Sequence, residues 1–473
     1  MYLLLLFPPM KPTPFLTTAR CWALWAVPVL AVLAGCTVYH AQPLDPSAVE
    51  AALQAPKLDA VRVAAAALKH PLLAPVQIDG RDGFTPDEIA LMTVITSPRL
   101  RALRDQRGVA QAQVVQAGLL PNPQLGYTVD RPSDPTLIDA KNVGLSWEAT
   151  SLLGYRDRVA AAKSTASALD LDIAWQEWQA AQAARLAAYR VLSLESRLPL
   201  ARETEADLAD ALALAKKAHA LGYRTTADLA AATESWSLAQ DARFAVEQEL
   251  TAQKLGLALA LGLPTEAPLK LKAGADFPAL PAGADTAAWL LDGLEKRRLD
   301  LVALTLGYES AEASLRAAVK AQFPKIGLSF SKARDTGNVR TRGYGVTVDL
   351  PLFDRNQGRI AAGAASRQQL FDEYVARVAL ARAEVRQILS NLAVARTQLR
   401  TLDAELPMLE QLTAALEQAM QTRNADAQAL RDARATLLAR RAEQAWMRQN
   451  ILELGVALEI ATGRPLLTRG GAN

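Results

Sequence analysis

The chain has 473 residues, long enough for two or three ordinary domains. Its 52 Lys+Arg and 49 Asp+Glu leave a formal net charge of only +3, with no long basic block. That balance argues against nucleic acid as a partner.

Lys11 and Arg20 precede an apolar run, Trp22 to Leu33, that is too short to span a bilayer and ends in small residues. Residues 1–35 therefore read as a secretory signal. Met1 to Pro9 are surplus to it, since a standard signal would begin at Met10-Lys11. Leu33-Ala34-Gly35-Cys36 looks like a bacterial lipobox, in which small residues admit the signal peptidase and the thiol takes up diacylglycerol. Cys36 is thus the candidate lipidation site and the first residue of the mature chain. Thr37 follows it, and in lipoproteins a residue other than Asp there favours delivery to the outer membrane. Cys21 lies inside the signal, which leaves the mature chain one cysteine and no intrachain disulfide. Beyond residue 36 no stretch of about 18 apolar residues occurs, so any membrane crossing falls to strands.

After an N-terminal extension, 36–84, the sequence matches itself at a shift of 201 residues. Pro123-Gln124-Leu125-Gly126 faces Pro324-Lys325-Ile326-Gly327, and Gly262-Leu263-Pro264 faces Gly463-Arg464-Pro465. Glycines, prolines and strand residues all keep the spacing, so one architectural unit is used twice. The first unit, 85–264, reads as a helix to about Gly118, a hairpin at 122–150, a long helix at 155–221 and a helix at 228–262. A linker at 265–298, rich in Ala, Pro and Leu, is expected to wrap the helices as a belt together with residues 37–80. The second unit, 299–465, repeats the order with a helix, a hairpin at 323–351, a long helix at 355–422 and a helix at 425–462, before a tail at 466–473.

Within the hairpins, Leu125, Tyr127 and Val129 alternate with Gln124, Gly126, Thr128 and Asp130, and the other three strands behave alike. One face is oily and the other wet; Asp130, Glu148 and Asp349 fall on the wet one and are candidates to line a lumen. The polar stretches Arg131 to Lys141 and Lys332 to Arg342 read as loops of equal length. Four strands cannot close a barrel, because the smallest membrane barrels need about eight and an open edge in lipid leaves backbone groups unpaired. Several chains must share one barrel.

In the second long helix, apolar positions recur every seven residues from Phe371 through Val385, Leu392 and Leu406 to Met420, with companions three residues on such as Ala381, Ala395 and Leu402. A repeat of 3.5 sustained so far means coiled coil. The phase continues past Pro407, so that proline, like Pro199 in the first unit, marks a kink rather than an end. At 1.5 Å per residue the helix from Tyr155 to Leu221 would be about 100 Å long. The helices flanking it have nearly the same summed length, which suggests two short helices stacked end to end beside one long one.

From about Thr85 to Pro465 the chain resembles the TolC-type outer-membrane factors. Leu350-Pro351-Leu352-Phe353-Asp354-Arg355-Asn356-Gln357-Gly358-Arg359-Ile360 is similar to the heavy-metal exporter branch of that family (CzcC-like). The resemblance implies a mainly α chain with a small membrane β-barrel: a homotrimer whose twelve strands, four per chain, stand on a long periplasmic helical tunnel. It further implies a passive exit duct of a tripartite efflux system, RND-type, whose partners are a periplasmic adaptor and an inner-membrane pump. Type I secretion or drug efflux is the alternative within the family, and a lipid-anchored coiled-coil spacer the alternative outside it.

The family's tip turn carries a glycine followed six residues later by an acid, as in Gly222-Tyr223-Arg224-Thr225-Thr226-Ala227-Asp228. Gly222, Tyr223, Arg224 and Asp228 are the resulting candidates for the tip turn and adaptor docking, and Asp228 also suits a helix N-terminus. At the second tip the shift places Arg423-Asn424 opposite Gly222-Tyr223 and Ala429 opposite Asp228, a departure from the pattern. Asp432 remains as the gate candidate, since three copies would form a negative ring. No enzyme, metal or cofactor site is expected: His40, His70 and His219 are isolated in sequence, and the carboxylates read as solvated helix faces.

Overall fold

The computed structural model describes residues 37–264, 266–267, 269–272, 287–422 and 426–466. Residues 37–54 belong to a unit of their own and hold helix α1, Pro46–Leu53, capped by the Asp45 side chain. The signal, Cys36 and the Arg423-Asn424 turn lie outside the described residues.

The larger unit begins with α2 (Leu58–Ala67), α3 (Pro86–Thr96) and α4 (Pro98–Ala117), then β1 (Gln124–Asp130) and β2 (Ala140–Glu148). Two helices complete the first half, α5 (Tyr155–Ala220) and α6 (Thr226–Ala260). The second half runs α7 (Ala287–Leu291), α8 (Leu294–Arg297), α9 (Leu299–Lys320), β3 (Lys325–Arg334), β4 (Arg340–Asp349), α10 (Gln357–Gln421) and α11 (Ala427–Thr462). Strands β1 and β3 start at Gln124 and Lys325, and helices α6 and α11 at Thr226 and Ala427, each pair 201 residues apart.

The structure differs from the sequence reading in two places along the helices. The helix expected up to Gly118 is broken at Ser97, whose ψ of 118° leaves the helical region. Pro98 causes the break, because its ring disfavours helical backbone at the preceding residue and it offers no amide hydrogen. In the second half the counterparts of α3 are α7 and α8, which lie inside the expected linker; Gly293, at φ +60°, separates them.

Both long helices run through their internal prolines, Pro199 in α5 and Pro407 in α10. An interior proline costs about 3 kcal/mol, and apolar burial on either side holds the helix together. In α10 every buried residue, Ala381, Val385, Leu392, Ala395, Leu402, Leu406 and Thr413, falls on the heptad seam. The seam packs against Met447, Ile451, Leu454 and Leu458 of α11. On the first half Ala184, Ala188 and Val191 of α5 meet Ile89, Leu91 and Met92 of α3, Leu257 of α6 and Leu261 just past its end.

Short helices meet end to end where α6 reaches the break between α3 and α4. Thr96 Oγ1 donates to the Leu261 carbonyl at 2.6 Å, and a Cβ on Gly262 would stand 2.4 Å from Pro98. Gly463 makes the matching close approach to Arg297 and Arg298. Over this junction lies a belt: Val61, Ala65, Ile78 and Leu271 join the same core, and Phe84 bridges to Leu271 through two backbone hydrogen bonds, with Lys270 and Lys272.

The four strands make one antiparallel sheet in the order β1-β2-β3-β4, so the two hairpins join through β2 and β3. Strands β1 and β4 each pair on one side only. The stretches taken as loops turn out to be shorter. Strand β2 already includes Lys141, β3 extends to Arg334, and β4 begins at Arg340, leaving a turn of Asp335 to Val339. Charge misled the reading there, since Lys332, Arg334, Arg340 and Arg342 alternate with small residues in strand register just as the apolar ones do.

Candidate channel wall and helical tip

Register sorts the sheet into two faces. Leu145 lies between Leu125 and Phe330, and Phe330 pairs with Tyr344; the next rows add Trp147, Leu328 and Val346, then Ile326 and Val348. All of these apolar side chains share one face, and most are exposed. On the other face Gly126, Gly144, Ser331 and Gly343 form one row and Ser146, Ser329 and Gly345 belong to the next. On β4 the room is short, since a Cβ on Gly345 would stand 2.5 Å from Ser329 Oγ and one on Gly343 3.0 Å from Ser331 Oγ. The polar face is therefore shallow and wettable.

Asp130, Glu148 and Asp349 all sit on that polar face. Asp130 is at the end nearest the loops, opposite Ala140, whereas Glu148 and Asp349 are at the end nearest the helices, opposite Gly327 and Lys325. The sheet brings the last two to one rim and keeps Asp130 apart.

At the first tip, Gly222 has φ +77° with open space around it, so its role is conformational. Its amide donates to His219 and that of Tyr223 to Ala218, which satisfies the last carbonyls of α5 in a Schellman turn. Thr225 then caps α6: its hydroxyl accepts from the Asp228 amide at 3.1 Å, while Asp228 Oδ2 accepts from the Thr225 amide at 2.9 Å. Those hydrogen bonds hold the Asp228 carboxyl below its ordinary range, and Arg224 stands 3.9 Å from it. Asp228 is thus committed to the cap. What the tip presents outward is Tyr223, 80% exposed, beside Leu221. Asp432 is exposed near the start of α11, where it accepts from Gln428 on its own helix at 2.8 Å.

The sequence reading missed a set of buried ions at the level of the belt. His70 is not isolated: its side chain is 2% exposed, with Nε2 3.0 Å from the Ala174 carbonyl and 3.6 Å from Glu177. Nδ1 accepts from the Leu72 and Leu73 amides, so the ring is neutral with its proton on Nε2; burial lowers its pKa. Glu177 is also met by Arg104. Arg185 of α5 reaches both Asp87 of α3, at 2.8 Å, and Glu459 of α11, at 2.9 Å, tying the two halves together. Arg298 grips Asp300 through two hydrogen bonds and lies over the Trp175 ring. These carboxylates are not solvated faces; the partners of Glu177 and Glu459 are far apart in sequence, and Asp300, though only two residues from Arg298, is buried by packing that the sequence does not show.

The segment that suggested heavy-metal export has a structural explanation as well. Asn356 adopts φ +61° at the start of α10, its amide accepted by Asp354 and its side chain donating to the Ala318 carbonyl of α9. Among the described residues no group of three or more His, Cys, Asp or Glu is placed to hold a metal ion, and no helix is long and apolar enough to cross a membrane.

Comparison with known proteins agrees with this architecture. Residues 290–464 match the family model described as outer membrane efflux protein. Among solved structures, CusC superposes with a TM-score of 0.64 at 17% identity, covering 84% of this chain and 99% of that one. VceC of Vibrio cholerae gives 0.63 at 18%, covering 80% and 96%, and the open-state MtrE channel of Neisseria gonorrhoeae gives 0.63 at 16%, covering 81% and 89%. A search of curated proteins finds no sequence match. The second half thus resembles outer membrane efflux proteins in sequence, and both halves share the fold of these three solved proteins.

Proposed function

We propose that three copies of this chain close one twelve-stranded barrel in the outer membrane and continue it as a helical tunnel, forming a passive exit duct. One observation carries the reading: an open four-stranded sheet, apolar on one face over the three rows nearest the helices and unpaired at both edges, at the end of two helices of about 100 Å. In lipid an unpaired strand edge costs several kcal/mol per backbone group, and pairing β1 of one copy with β4 of the next removes both edges. The wet face, with Asp130, Glu148 and Asp349, then lines the lumen. Exposed apolar residues along the helices, among them Val394, Met408 and Leu412 of α10, supply faces for neighbouring copies.

The energy for export comes from an RND-type inner-membrane pump, and the periplasmic adaptor docks at the tips through Gly222, Tyr223, Arg224 and Asp228. Asp432 from three chains forms the gate ring. Heavy-metal cations are the proposed cargo, on the strength of the resemblance of residues 350–360 and of the acids on the polar face. Cys36 carries the lipid anchor, as its lipobox suggests; the mass of the N-terminal peptide from purified protein tests that point directly.

The assembly is tested with cysteines placed on the free edges, Tyr127→Cys on β1 and Tyr344→Cys on β4, joined by a short bifunctional thiol reagent. A ladder that ends at three chains is expected. A ladder stopping at one chain, or running on without limit, contradicts the closed barrel.

A further inference from the structure

The apolar face of the sheet changes character at its far end. Three successive rows, from Ile326–Val348 through Trp147–Leu328–Val346 to Leu125–Leu145–Phe330–Tyr344, are wholly apolar. The next row toward the loops is Tyr127–Val143–Lys332–Arg342, and the last is Val129–Lys141–Arg334–Arg340. Five cations therefore occupy the same face as the lipid-facing residues, crowded into its two outermost rows.

Two features separate this cluster from an ordinary solvated rim. Lys332 stands directly opposite Arg342, and Arg334 directly opposite both Lys141 and Arg340; like charges opposed across strands destabilise a sheet unless something neutralises them. The chain itself does not. Among the described residues Lys141, Lys332, Arg340 and Arg342 have neither an ion pair nor a side-chain hydrogen bond, and Arg334 donates only to the neutral Asn338. Of the nearby acids, Asp139 faces Arg131 at 3.9 Å, Asp335 accepts from the Val339 amide, and Asp130 lies on the opposite face.

Height identifies what does neutralise them. The helices leave the sheet at its other end, where Phe323, Leu350, Leu352 and Phe353 are exposed and extend the apolar band. Lys332 lies six residues beyond Ile326, about 20 Å along the strand and about 15 Å in height at a barrel strand's tilt, and the apolar residues below Ile326 add to that height toward the roughly 25 Å apolar band of such barrels. With the helices in the periplasm, the cations stand at the headgroups of the outer leaflet. We propose that these five residues form a basic girdle that binds the phosphorylated headgroups of outer-leaflet glycolipid, clamping lipid around the barrel. The inference rests on the sheet being a membrane wall, as proposed above.

The test uses the full-length protein in detergent with bis-phosphorylated lipid A as probe, and counts retained lipid by native mass spectrometry. Wild type is expected to retain the bis-phosphorylated form at least about tenfold more strongly than the same lipid with its phosphates removed, an advantage that salt reduces. The variant Lys141→Gln/Lys332→Gln/Arg340→Gln/Arg342→Gln loses that preference. Equal retention of the two lipids by wild type overturns the girdle even if the variant fails to assemble, and so does displacement of the lipid by equimolar inorganic phosphate. Flotation of the unlipidated Cys36→Ser variant with phosphatidylcholine vesicles separates the two levels of failure, because the lipid anchor alone would float the wild type. Protein that floats but ignores the phosphates loses only the girdle, whereas protein that does not float loses the membrane wall with it.

Discussion

Replacing Arg185 with Leu tests the brace that joins the two halves. Its guanidinium meets Asp87 at 2.8 Å and Glu459 at 2.9 Å, and the Glu459 side chain is 0% exposed. Removing one partner of a buried pair leaves an uncompensated charge and typically costs about 3–5 kcal/mol. The loss should fall in the upper part of that range, because neither neighbouring helix offers Glu459 water. Glu459→Gln should cost less, about 1–3 kcal/mol, since an amide oxygen can still accept from the Leu466 amide, now bonded to Oε1 at 2.6 Å. Thermal unfolding in detergent, followed by circular dichroism, reads both variants and the double variant. The double variant is expected to be more stable than the sum of the singles predicts, by at least about 1 kcal/mol of coupling. Additive losses, or an Arg185→Leu protein as stable as wild type, would refute the brace.

Gly262 and Gly222 both have positive φ, but only Gly262 is crowded. Gly222→Ala should cost about 1–2 kcal/mol and Gly262→Ala about 1–3 kcal/mol more, a ranking that thermal melts in one buffer can check. His70 supplies a pH dependence. Its pKa in the folded chain is lowered, mainly by burial. Its contribution is therefore complete above the unfolded value of about 6.5 and is lost as pH falls below it, because the unfolded chain takes up a proton that the folded one resists. His70→Asn should be less stable at pH 8 yet show a smaller fall in melting temperature between pH 7 and 5; an unchanged fall contradicts the neutral ring. Tyr223→Ala should leave stability within about 0.5 kcal/mol while reducing pull-down of the adaptor, and normal capture would remove the residue from the docking surface.

Most of the helical body was legible because its signals are local or periodic. The heptad from Phe371 to Met420 located the buried seam of α10, and the 201-residue shift located both hairpins. The reading failed where a single residue redirects the chain or where distant residues meet. Pro98 broke a helix whose composition looked continuous, and α7 and α8 are too short to announce themselves by period. Basic residues alternating with small ones at Lys332 to Arg342 resembled a loop, because strand patterns are sought in hydrophobicity rather than in charge. Asp228 was placed at the tip from its spacing to Gly222, yet its commitment to Thr225 shows only in the hydrogen bonds. Arg185, Glu459 and His70 could not be found from sequence at all, since nothing local distinguishes a buried ion from a solvated one.

The central claim is a shared barrel that continues as a duct, and conductance across a planar bilayer tests it most directly. Purified, lipidated protein that runs as an SDS-resistant trimer is expected to give small, cation-selective single-channel steps that change with Asp432→Ala. Steps indifferent to that substitution would keep the duct and remove the gate ring. A monomer that never conducts would contradict the account and leave a lipid-anchored coiled-coil spacer in its place.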